Sequence, residues 1–154
     1  MQPVFRKMQL NPAFGTDASE HLKIMTDEAV QYELPYLKGI EYFNECEYFE
    51  AHEVWEELWT EYRGELRHFY QGLIQVAVAL HHFGNGNIRG ARKVYLSSRK
   101  YLQNYLPNCQ GIDLETFLDQ YECCFAEALA STEEFPEIEI NPELIPEIHL
   151  QPSQ

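Results

Sequence analysis

Positive charge is scarce in this chain. Eleven Lys and Arg stand against twenty-five Asp and Glu in 154 residues, giving a net charge of -14 and an isoelectric point near 4.7. A surface of that sign repels free nucleic acid and anionic membranes, so neither is an expected partner. No stretch approaches the ~18 uninterrupted apolar residues that a membrane span requires. The N-terminal MQPVFRKMQL has no apolar core of a secretory signal, and a cytoplasmic protein is expected. The four Cys (Cys46, Cys109, Cys123 and Cys124) form no Cys-x-x-Cys pair. Cys123 and Cys124 would diverge by about 100° on a helix, so reduced thiols are expected. His-Glu-x-x-His, Gly-x-Ser-x-Gly, phosphate-loop and dinucleotide fingerprints are all missing.

What is present is one domain's worth of chain, 45% hydrophobic and 14% aromatic, enough for a single core. Residues 1–33 read as an arm of mixed polarity, with turn signals at Asn11-Pro12 and Gly15-Thr16-Asp17 and a short helix over 19–31. The spacing then predicts five helices in a domain over 34–132, an all-α antiparallel bundle. The first covers 35–44, started by Pro35, with Leu37, Ile40, Tyr42 and Phe43 as its apolar residues. The second covers 47–62 and is closed by Gly64; the third covers 65–83 and is the most apolar. The fourth is capped by Asn87 and runs to Leu106, where Pro107 stops it. The fifth is capped by Asp113 and buries Leu114, Phe117, Leu118, Tyr121, Phe125 and Ala128. Short loops make the second, third and fourth helices antiparallel neighbours.

After Thr132 the text becomes Pro-rich and acidic, with six Glu and no Lys or Arg in the last 24 residues. The tail over 133–154 cannot be helical. Its default reading is a solvated segment that offers a protein partner a surface. The alternative is an extended strap whose Ile138, Ile140, Leu144, Ile145 and Ile148 cover an apolar groove.

The second helix carries YFEAHEVWEELW. Steps of three and four residues place His52, Glu56 and Trp59 on one face, while Glu53 and Glu57 fall on the wet side. The third helix has no Asp, Glu, Lys or Arg from His68 to Phe83, yet carries a narrow stripe of His68, Gln71, Gln75 and His82 bordered by Gly72 and Ala79. The simplest assembly sets this stripe opposite His52 and Glu56, whereas His81 projects into the apolar arc as a core histidine. A lone Glu-x-x-His match, Glu65 to His68, sits at a helix start and lacks a second copy. The fourth helix holds five of the eleven basic residues, Arg89, Arg92, Lys93, Arg99 and Lys100, as a solvated face that complements the acidic second helix or the tail.

Buried polar groups must be paired, since an orphan costs roughly 1–3 kcal/mol. One reading is therefore an internal network: His52 with Glu56, the two Gln with backbone or each other, His82 with a carbonyl. A second gives His52, Glu56 and His82 a divalent metal, with Glu56 as ligand or base of a metal-assisted hydrolase. A third is a helical protein-interaction module in which the motif is structural. A fourth is a small-ligand pocket lined by Trp55, Trp59, Gln71 and Gln75. The ten Tyr and nine Phe are more aromatic surface than five short helices readily bury, which favours a homodimer.

The segment from Gly39 to Leu106 resembles a bacterial and archaeal domain-of-unknown-function family, number three hundred and nine. The resemblance rests on His-x-x-x-Glu-x-x-(Trp/Tyr), met by His52, Glu56 and Trp59. It continues through QGLIQVAVALHH and the GN-x-x-GA of Gly86, Asn87, Gly90 and Ala91. It implies a small all-α fold and a metal role for the motif, and no substrate.

Overall fold

The structure is a computed structural model that describes residues 31–152. Five helices carry it: α1 (Leu34–Asn44), α2 (Tyr48–Glu61), α3 (Arg67–Gly84), α4 (Ile88–Leu102) and α5 (Leu114–Ala130). Turns of 3-10 helix at Gln103–Tyr105 and Pro142–Leu144 and one small hairpin, β1 (Asn108–Cys109) with β2 (Ile112–Asp113), complete the described residues. The expected all-α bundle is what forms. The helix suggested over 19–31 falls almost wholly outside the described residues.

Each boundary has a local cause. Pro35 lies in the first turn of α1, where its missing N–H costs nothing. Between α1 and α2 the chain reverses at Cys46, a non-glycine residue with φ of 60°. α3 ends in a turn through Gly86, whose φ of 80° suits glycine. The Asn87 side chain then accepts a hydrogen bond from Gly90 N at 3.0 Å, and Asp113 accepts one from Thr116 N at 3.1 Å, as both capping residues were expected to do. Two ends differ from expectation. α2 stops at Glu61 because Tyr62 is already extended, before Gly64 is reached. α4 stops at Leu102 and tightens into the 3-10 turn ahead of Pro107.

α3 is the central element, packed between α2 on one side and α4 on the other, while α1 packs on α2. Trp55 of α2 is fully buried, and Gly39 of α1 lies so close that a Cβ there would stand 2.0 Å from Trp55 Nε1. The Trp55 indole N–H donates to the Tyr36 carbonyl at 3.2 Å. α5 closes the bundle with aromatic contacts: Phe117 on Phe43 (6.0 Å between ring centres), Phe125 on Phe83 (5.0 Å), and Tyr121 on Tyr95 (4.5 Å). The predicted α5 stripe is buried throughout. In α1 the stripe was misjudged at one end, for Leu37 is exposed and Tyr36 takes its place in the core. On α4, Ser98 is fully buried and satisfied, donating to Tyr95 O at 2.7 Å and bonding the Tyr121 hydroxyl at 2.8 Å.

The tail resolves in favour of the strap. Ile148 is 2% exposed, and Ile138, Ile140 and Ile145 pack against the core; Leu144, expected with them, points out. The reason is backbone pairing that composition does not reveal. The Asn44 side-chain amide receives Ile148 N at its Oδ1 and donates Nδ2 to Ile148 O, both at 2.8 Å, as a strand neighbour would. Gln151 N donates to Gly111 O at 2.7 Å, tying the strap to the hairpin. That hairpin turns through Gln110 and Gly111, both at positive φ, the geometry of a two-residue type I′ loop. All four cysteines are free, and burial pushes the Cys109 thiol up to about 11 and the Cys124 thiol up to about 12.

Two substitutions test this arrangement. Gly39→Ala forces Trp55 out of its seat and is expected to destabilise by on the order of 3 kcal/mol in urea unfolding. A loss under half that size would show that the helix pair can slide apart freely. Asn44→Ala removes both bonds to Ile148 and should cost about 2 kcal/mol, with amide exchange at Ile148 and Gln151 accelerating more than in α3.

Candidate functional site

The motif face of α2 forms partly as its spacing requires. His52 Nε2 and Glu56 Oε2 lie 3.3 Å apart, one helical turn from each other, and His52 Nδ1 lies 3.3 Å from Phe49 O. The pair is not buried: the side chains are 26% and 55% exposed. An exposed i,i+4 pair of this kind contributes only about 0.5 kcal/mol. The two pocket-lining tryptophans separate. Trp55 is sealed in the core under Gly39 rather than set beside His52 and Glu56 at the surface, which follows from its closeness to α1. Trp59 is half-buried, and the Arg67 guanidinium lies over its ring at 4.0 Å.

Arg67 is the residue that sequence reasoning missed. It comes from the first turn of α3 and reaches back to α2, donating Nη1 to the carbonyls of Trp59 and of Tyr62. Its signal was the lone base beside an aromatic pair at an uncapped helix start, where a guanidinium can serve carbonyls and a ring together.

The stripe on α3 does not stand opposite His52 and Glu56. His81 and Arg67, on one flank of α3, face α2: the His81 ring is 6.1 Å from Phe49, and Arg67 covers Trp59. His68 and Gly72, on the other flank, face α4: His68 stacks on Tyr101 at 5.5 Å, and a Cβ on Gly72 would stand 2.6 Å from Leu102. At 100° per residue, Gln71, Gln75 and His82 must then lie between those flanks, in a shallow valley on the outward side of α3. All three are half-buried. His81, expected in the core, is the exposed histidine that meets the motif face. The wheel of α3 was sound, but it could not reveal which arc each neighbour would take.

His82 therefore does not join His52 and Glu56. Its Nδ1 lies 3.3 Å from Asn87 Nδ2, at the α3–α4 turn. Among the described residues no three His, Cys, Asp or Glu side chains are grouped so as to hold a metal ion. His52 and Glu56 supply two donors that face each other, and the third ligand expected from His82 is elsewhere, so the residues do not fit the three-ligand centre. The internal network is also incomplete. Trp59 Nε1 and Gln75 Oε1 are buried with no hydrogen-bond partner among the described residues.

What the motif face does present is an aromatic and imidazole cluster. Phe49 is 49% exposed, with His52 at 5.6 Å and His81 at 6.1 Å between ring centres. Around it α2 bears Glu50, Glu53, Glu56, Glu57 and Glu61 and no Lys or Arg. The basic face of α4 does not answer these acids. Arg89 pairs with Glu134 at 3.1 Å, Arg92 serves the carbonyls of Ala128, Ser131 and Glu133, and Arg99 lies 3.5 Å from Glu122. The bases of α4 thus hold α5 and the start of the strap.

A five-helix unit with a His/Glu/Trp motif on its second helix is the class defined by these observations. Residues 36–94 match the family model described as Domain of unknown function (DUF309). The resemblance carried by His52, Glu56 and Trp59 is borne out over that segment, which contains most of α1, all of α2 and α3, and the first half of α4. An "Uncharacterized protein" of Aquifex aeolicus (strain VF5) is 33% identical over 96 residues, covering 61% of this chain and 28% of that protein. The "Uncharacterized protein YpuF" of Bacillus subtilis (strain 168) is 38% identical over 65 residues, 42% of this chain and 37% of that protein. The chain thus spans well under half the length of either relative. No solved structure matches. No helix among the described residues is long and apolar enough to cross a membrane.

The latch on Trp59 can be read spectroscopically. Arg67→Ala should shift tryptophan emission to longer wavelength, since Trp59 loses its cover while Trp55 stays sealed, and should cost on the order of 2 kcal/mol. Unchanged emission and unchanged stability together would show that Arg67 shields nothing.

Proposed function

We propose that this chain is a helical protein-interaction module whose docking face is the exposed part of the α2–α3 seam, centred on Phe49, His52 and His81. The His52–Glu56 pair is structural on this reading and sets the rim of the face. The observation that carries it is Phe49. A large aromatic side chain left half in water, braced by two imidazole rings, is the composition of an interface centre. The five Glu of α2 select the partner's chemistry, a segment that offers Lys or Arg around an apolar residue. The metal-assisted hydrolase is the weaker reading, because it needs a third ligand that His82 does not bring.

Selection from a random-peptide display library tests the docking face. Enriched peptides should combine basic residues with one or two large apolar ones. Phe49→Asp should weaken them at least ~10-fold, the loss of an interface hot spot, while Leu96→Asp on exposed α4 should not. No enrichment, or binders indifferent to Phe49→Asp, would end the proposal. Elemental analysis of untagged protein supplies a separate check: stoichiometric metal lost in His52→Ala would restore the hydrolase reading.

A further inference from the structure

A cavity of about 340 Å³ lies between the start of α3 and the end of α4, lined by His68, Ser97, Lys100, Tyr101 and Asn104. Ser97, Lys100 and Tyr101 are spaced three and four apart and so share one face of α4, and Asn104 follows in the 3-10 turn that continues it. His68 approaches from α3, its ring stacked on Tyr101 with only 15° between planes, which fixes the imidazole at the wall. Every one of these side chains carries a hydrogen-bond donor or, for His68, a ring nitrogen able to donate. No carboxylate lines the cavity. In a chain with twenty-five acids and eleven bases, that is the reverse of what composition supplies by chance.

Lys100 sharpens the contrast. Arg89, Arg92 and Arg99 of the same helix are engaged with α5 and the strap, whereas Lys100 has no ion pair among the described residues. Ser97 likewise has no hydrogen-bond partner for its hydroxyl among them. The Asn104 amide donates to the Lys100 carbonyl at 3.2 Å, which covers one of the outward carbonyls at this end of α4. The first turn of α3 has no side-chain cap, so its backbone N–H groups add partial positive charge beside His68.

We propose that this cavity binds a small phosphomonoester. A tetrahedral dianion has three terminal oxygens that can each accept from the converging ammonium, hydroxyl, imidazole and amide groups. Lys100 supplies the compact charge, and Ser97, Asn104 and the Tyr101 hydroxyl orient the oxygens. The cavity exceeds a bare oxyanion, leaving room for an organic group beside the His68 and Tyr101 rings. The site is separate from the Phe49 face and stands or falls independently of it. Only His68 lies within the family-matched segment; the other four residues follow it in the chain.

The test is a two-dimensional NMR titration of the full chain at constant ionic strength, with inorganic phosphate and with glycerol 3-phosphate as probes. Saturable shifts at His68, Ser97, Lys100, Tyr101 and Asn104 are expected, tighter for the ester. Lys100→Glu should weaken binding at least ~10-fold, as expected for reversing a charge-assisted contact. Ser97→Ala, which adds no charge and leaves the helix undisturbed, should weaken it a few-fold. Lys93→Glu, on the same helix outside the cavity, should leave it unchanged. Three results would each overturn the site: shifts that rise without saturating, an ester no tighter than phosphate, or equal weakening by Lys93→Glu and Lys100→Glu. The last would reduce the effect to diffuse attraction along α4.

Discussion

The seat of Trp55 organises this molecule. Its ring needs the missing side chain at Gly39, and its N–H needs the Tyr36 carbonyl, so α1 and α2 lock at one height and one rotation. Tyr36 then passes the constraint on. Its hydroxyl donates to Gln110 O at 2.7 Å, and burial holds the phenol well above its usual range, keeping it a donor. Gln110 and Gly111 form the hairpin turn, and Gly111 O receives Gln151 N from the strap. Four segments far apart in sequence are thereby set by one indole. A residue that looked like a pocket wall from its place beside His52 and Glu56 is instead the anchor of the fold.

That misreading shows where the sequence stops being informative. The i,i+4 relation of His52 and Glu56 is a property of one helix, so it was legible and the pair forms. Trp55 lies only one step further round the same wheel, and its fate depends on α1 approaching from the other side. The same limit explains His81 and His82. They are neighbours about 100° apart on α3, and whichever flank turns toward α2 decides which one meets Phe49. Glycine was the overlooked guide. Gly72 marks the flank that α4 approaches, as the close Leu102 shows, and would have rotated the stripe away from α2 had it been assigned to the following helix.

The strap makes the same point for the tail. Its proline and glutamate content correctly excluded a helix, and its alternating isoleucines correctly named what can be buried. Composition favoured solvation because an extended segment leaves backbone groups needing partners. Asn44 supplies those partners across 104 positions of sequence, and Arg92 gathers the carbonyls where α5 gives way to the strap. Neither residue advertises that role locally: one sits at a helix end, the other in a basic stripe that looked merely solvated.

The family-matched segment does not close its own core. Within residues 36–94, Phe43 and Phe83 offer aromatic faces that are covered by Phe117 and Phe125 of α5, beyond the match. Tyr95, one residue past it, is stacked by Phe125 and meets Tyr121 at a tilt. Without such a cover, three aromatic rings would face water together, a patch that folded proteins seldom leave open. A unit of this kind therefore needs a further element to finish its core, and here the chain supplies it as α5 with the strap tied on by α4's arginines. The α2–α3 seam needs no such completion from α5, because it lies on the opposite flank of α2 from Gly39 and is braced by Arg67 from within the match. That asymmetry separates the two sides of the bundle: one is closed by its own chain, and the other keeps Phe49 at the surface.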